Sequence, residues 1–143
     1  MKLGKQTIKL ETKPCIYSTS SVVGPKEMDG PLSQYFELHI KDVFFDEKTF
    51  EKAETHMQKV AIKTAIKKAK LSKHEIDCAF AGDLLNQCIG SSFGMRDLRL
   101  PFSGLYGACS TMALSLAMAS VFVDSGASVN SVAAASSHFC SAE

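Results

Sequence analysis

Three short segments of this 143-residue chain carry side chains able to bind or react. The first is Tyr106-Gly107-Ala108-Cys109-Ser110-Thr111. Its neighbours predict a strand before it and a helix after it, so the Cys109 sulfur falls at the helix N-terminus with Ser110 beside it. Unpaired N–H groups and the positive dipole end favour an anion there and lower a thiol pKa. Gly107 lets the backbone approach a ligand closely. The alternative for a lone cysteine is a small buried hydrophobe. The second segment, Ser136-Ser137-His138, directly follows a predicted strand. There Ser136 and His138 face a ligand, with His138 as donor, acceptor or base; a capped or solvent-facing histidine is the alternative. The third, Ala81-Gly82-Asp83-Leu84-Leu85-Asn86-Gln87, offers Asp83 and Asn86, although Asp83 also suits a helix cap.

For these segments to act together, the elements between them must bring their ends to one rim. Ile76 to Ala81 reads as a short strand, Gln87 to Leu98 as a helix and Phe102 to Tyr106 as a strand. Cys109 to Asp124 follows as a helix stopped by Ser125-Gly126, and Ser131 to Ala135 as a third strand. Such alternation implies right-handed crossovers and a parallel sheet, whose carboxyl edge binds ligands. The Cys109 helix is apolar or small all round (Met112, Leu114, Leu116, Met118, Val121, Phe122), which predicts a buried position. Upstream, Thr7 to Thr12 and Cys15 to Ser20 read as strands, and a loop joins Gly24-Pro25 to Gly30-Pro31. From Lys48 a long helix is expected, its stripe formed by Phe50, Ala53, Met57, Val60, Ala61, Thr64 and Ala65. It ends in Lys67-Lys68-Ala69-Lys70, where cations complement the helix dipole, and Ser72 and Glu75 have capping-box spacing.

Composition excludes several classes. Hydrophobic residues make up 45% and charged ones 22%, as in ordinary globular proteins, and the formal net charge is +1. Nucleic-acid binding needs a clustered basic excess, and none is visible. The five cysteines form no CxxC pair, and His39, His56 and His74 lack partners at ligand spacing, so no metal site is expected. No glycine-rich phosphate loop occurs. The cysteines read as reduced thiols, and Met1 to Lys5 lacks a secretory pattern. Leu100 to Val123 is uncharged and long enough to span a bilayer, but its glycines, serines and Pro101 favour strand, turn and helix. The end at Ser141-Ala142-Glu143 brings no closing element, which implies further chain.

The chain resembles the stage V sporulation protein AD family along its whole length. The resemblance rests on Gly4-Lys5-Gln6-Thr7, Val23-Gly24-Pro25-Lys26-Glu27, Gly30-Pro31-Leu32, Ala81 to Gln87, Gly107 to Thr111 and Ser136-Ser137-His138. It implies a thiolase-like, layered α/β/α fold with a mixed, mainly parallel sheet and the helix from Cys109 to Asp124 buried at the centre. Residues 1–143 would be the N-terminal half-domain, with a similar C-terminal half outside this chain. The resemblance further implies binding of dipicolinic acid, with calcium, during its uptake into the developing spore. Partners would be other stage V sporulation A membrane proteins at the forespore or spore inner membrane, and the full-length form would dimerise through the strand after the cysteine helix. Cys109, Asp83, Asn86, Ser110, Ser136 and His138 are the expected ligand-binding residues, with no resident cofactor. Two alternatives stay open. One is an acyltransferase of thiolase or ketoacyl-synthase type, with Cys109 as nucleophile and His138 as base. The other is a scaffold that only docks membrane partners.

Overall fold

The computed structural model describes residues 1–85 and 88–138. Its centre is a three-stranded parallel sheet made of β5 (Cys78–Gly82), β6 (Phe102–Gly104) and β7 (Ser131–Ala135), in the order β6-β5-β7. Ala79, Phe80 and Ala81 pair with Phe102, Ser103 and Gly104 on one side, and β5 pairs residue for residue with β7 on the other. Helix α3 (Ile89–Leu98) connects β5 to β6, and α4 (Thr111–Asp124) connects β6 to β7. The expected alternation of strands and helices is therefore present.

Alternation along β5 sends successive side chains to opposite faces. Ala79 and Ala81, both 0% exposed, join Ile62, Met95 and Leu98 in the core beneath α3 and α2 (Phe50–Lys68). Phe80 points the other way and meets Phe122 of α4 edge to face, with centroids 4.7 Å apart. Burying a phenylalanine in this way contributes about 1.5–3 kcal/mol. Three layers result: α2 with α3, the sheet, then α4.

Helix α2 starts where Thr49 accepts a hydrogen bond from the Lys52 N–H at 3.3 Å, and Lys67 and Lys68 close it. Its inward ridge is rotated from the expected stripe. Ala53, Glu54, Gln58 and Ile62 are buried, whereas Phe50, Met57, Val60, Ala61, Thr64 and Ala65 are half-buried. Apolar periodicity misses this ridge because Glu54 and Gln58 find polar partners inside.

Helix α4 also departs from expectation. Thr111, Ser115 and Ala119 are its buried residues, while Met112, Leu114, Leu116 and Val121 are exposed. Small side chains one turn apart let the helix sit close against β5 and β7, which turns the larger ones outward. Within this chain α4 is thus an outer layer, not an enclosed centre. The uncharged run around it divides into β6, a 3-10 turn (Ala108–Ser110) and α4. Among the described residues, no helix is long and apolar enough to cross a membrane.

The upstream third is lighter in structure. β1 (Lys2–Leu3) and β2 (Thr7–Ile8) form an antiparallel pair, and β3 (Val22–Val23) runs parallel to β4 (Leu38–His39). The Gly-Pro loop contains a short helix, α1 (Pro25–Met28), with proline in its first turn. The strand expected over Cys15 to Ser20 does not form, since no described strand lies alongside to complete a ladder. Ser18 and Thr19 are held through the Ala65 carbonyl and the Lys68 ammonium instead. The capping box of Ser72 and Glu75 is present.

Candidate functional site at the carboxyl edge of the sheet

Gly82 ends β5 and is the point where the three segments meet. A Cβ at this position would lie 1.9 Å from the Leu105 carbonyl oxygen and 2.7 Å from the Thr111 methyl carbon. Only glycine permits so close an approach between the β5 end and the Cys109 turn. The Gly82 carbonyl also accepts from the Ser136 N–H at 3.0 Å, which fixes the exit of β7 beside it. The ends of β5, β6 and β7 are thereby brought to one rim.

At that rim Cys109 is exposed, in the 3-10 turn that precedes α4. Ala108, the residue before it, has φ of 47°, in the left-handed region. That conformation costs a residue with a Cβ on the order of 1–3 kcal/mol, and such strain clusters at functional turns. Two hydroxyls that could cap α4 are used within the turn. Ser110 donates to the Gly107 carbonyl at 2.7 Å, and Thr111 Oγ1 accepts from the Gly107 N–H at 3.1 Å. Among the described residues no side chain caps the first N–H groups of α4. None hydrogen-bonds to the Cys109 thiol either.

The remaining expected site residues face protein partners. Asp83 is fully buried; one oxygen accepts from Leu85 N–H at 2.9 Å and the other from Ser91 N–H at 2.7 Å. The second bond satisfies an orphan amide in the first turn of α3, so Asp83 takes the capping role. Ser136 donates to Glu54 Oε1 at 2.8 Å and accepts from Gln58 Nε2 at 3.2 Å. His138 is buried, stacks on Phe50 at 5.1 Å and places Nε2 2.8 Å from the Val43 carbonyl. A carbonyl only accepts, so Nε2 carries the proton in that bond. This ring nitrogen is therefore engaged on residues 40–49. Asn86 lies outside the described residues.

Glu54 and Gln58 are the residues that sequence reasoning missed. Gln58 bonds Ser91 at 2.9 Å and reaches the Gly82 carbonyl at 3.4 Å, so α2 braces the ends of both β5 and β7. Their signal was the four-residue spacing of Glu54, Gln58 and Ile62, which places them on one ridge. Cys88 also lies close by, donating to the Leu105 carbonyl at 3.1 Å, and burial pushes its thiol pKa up. Among the described residues no group of three His, Cys, Asp or Glu could hold a metal ion.

Together these features define a layered α/β protein whose central sheet is wholly parallel, the antiparallel β1-β2 pair standing apart from it instead of making it mixed, with an accessible cysteine turn at its carboxyl edge. The chain belongs to the stage V sporulation protein AD family, whose model matches residues 4–143. It is 40% identical over 144 residues to the stage V sporulation protein AD of Bacillus subtilis (strain 168). That alignment covers all of this chain but 43% of the relative, so the chain spans less than half of its length. Among solved structures, a 3-oxoacyl-[acyl-carrier-protein] synthase III from Aquifex aeolicus VF5 aligns with 57% of this chain and 27% of its own. The TM-score is 0.48 and the identity 26%.

Proposed function

We propose that this chain is the N-terminal half-domain of a sporulation protein that binds dipicolinate, carried with calcium, and aids its uptake into the developing spore. The observation that carries the reading is the exposed Cys109 on a strained turn, beside helix amides that no described side chain caps. Such amides and the dipole behind them favour a carboxylate. Cys109 and Ser110 line the contact, and the segment from Ser136 to His138 completes its rim. Asp83, Glu54 and Gln58 hold the strand ends that shape it. The full-length protein would act at the spore inner membrane with stage V sporulation A membrane proteins, as a homodimer.

Calorimetric titration with dipicolinate, with and without calcium, tests this. Saturable binding by the chain is expected, lost in Cys109→Trp while the circular dichroism spectrum stays the same. Equal affinity in that variant would overturn the site. A stable acyl adduct on Cys109 after incubation with an acyl thioester, seen by mass spectrometry, would favour the transferase instead.

A further inference from the structure

A second concave feature lies at the opposite edge of the sheet. It is a cleft of about 470 Å³ between the last turns of α2, the segment leading into β5 and the end of α3. Residues 71–73 precede β5 and residues 98–100 precede β6, so the cleft opens at the amino ends of the parallel strands. Its floor is apolar, formed by Ile66, Leu71 and the buried Leu98. Lys63, Lys67 and Lys73 stand around it.

The charge balance of this cleft is uneven. Asp97 is its one carboxylate, and that group is already held at 3.0 Å by Lys59 and at 3.1 Å by Arg96. Lys59 foremost, then Arg96, keeps its carboxyl below the ordinary range. Among the described residues, Lys63, Lys67 and Lys73 form no ion pair. The α2 dipole does not account for all three. Its pull on cations fades beyond the last turn, yet Lys63 lies five residues before the helix end and Lys73 lies off the helix. Lys68, the neighbour in sequence, shows what a satisfied lysine looks like here: it bonds the Thr19 carbonyl and pairs with Glu37. A cleft lined by one sign of charge over low-dielectric walls concentrates counter-ions of the other sign.

We propose that this cleft binds a small amphipathic anion, one with an apolar body against Ile66, Leu71 and Leu98 and a phosphate or carboxylate group among the three lysines. Its volume lies within the range of about 300–1,000 Å³ usual for small-ligand sites. Neither the family assignment nor the Cys109 turn enters this reading, because the two sites occupy opposite edges of the sheet.

Phenyl phosphate and inorganic phosphate make a matched pair of probes, sharing the anion and differing in the apolar body. Titration of the chain at low salt should show saturable binding of phenyl phosphate, at least about tenfold tighter than phosphate. The Lys67→Gln/Lys73→Gln variant should lose about tenfold in affinity, and added salt should weaken binding in the parent chain. Cys109→Trp should leave the affinity unchanged. Absence of saturable binding, equal affinity in the double lysine variant, or loss in Cys109→Trp would each overturn the site. Equal affinities for the two probes would overturn the amphipathic class. Co-sedimentation with phosphatidylglycerol vesicles that phenyl phosphate displaces would identify a lipid headgroup as the anion's source, and its absence a soluble ester.

Discussion

Ser136 shows how one hydroxyl can tie an interior together. It joins a carboxylate and an amide of α2 to the end of β7, and its own N–H holds Gly82. Glu54 is 1% exposed, a depth at which carboxylates occur only with partners. Replacing Ser136 with alanine removes one donor from Glu54 and one acceptor from Gln58 while adding no bulk. Desolvated groups that lose a partner cost about 1–3 kcal/mol, so Ser136→Ala should be destabilised by that amount. Urea denaturation would register it as a lower midpoint at unchanged m-value. An unchanged midpoint would show that the network contributes nothing to the fold.

At the scale of elements, the entrances of β5 and β7 are fastened by a single carboxylate. Asp77 accepts from the Val129 N–H at 2.7 Å and the Asn130 N–H at 3.1 Å. These two backbone bonds hold its pKa below the ordinary carboxylate range, Val129 contributing most. A depressed folded pKa adds stability above the unfolded value of about 3.9, and that stability is lost as pH falls through the lower folded value. Asp77→Asn should therefore melt below the parent chain at neutral pH, and the gap should close in acid. Thermal unfolding at pH 7 and near pH 3 would check this; a gap independent of pH would mean that the charge plays no part. The amides of Val129 and Asn130 should also exchange faster in the variant.

On the whole molecule, the outward face of α4 decides behaviour in solution. Leu114 and Val121, seven residues apart and so on one face of α4, are 37% and 38% exposed. Exposed apolar side chains on one helix face promote association. The 143-residue chain should self-associate as its concentration rises, and Leu114→Lys/Val121→Lys should shift that onset upward by about tenfold. Sedimentation velocity measures the shift, with far-ultraviolet circular dichroism confirming an intact fold. Equal association by both proteins would place the contact elsewhere.

The sequence by itself determined the order of strands and helices from Ile76 onward, because periodicity, turn residues and caps act over a few neighbouring positions. It also marked the Cys109 turn, whose glycine and following apolar run are local signals. Family membership was legible for the same reason, in contiguous strings such as Ala81 to Gln87. Only the tertiary structure decided which polar groups face inward. Glu54 and Gln58 lie on α2, yet their partners Ser91 and Ser136 are 33 and 82 residues away from them in sequence. Asp83 and His138 were marked as ligand residues, and only folding shows the backbone groups they bond, at Leu85 and Ser91 and at Val43. Cys15 to Ser20 has strand character but forms no strand, because a ladder needs a neighbour that local sequence does not specify. The lysine cleft was equally hidden: its cations come from two elements, and a net charge of +1 averages them away until folding sets them side by side.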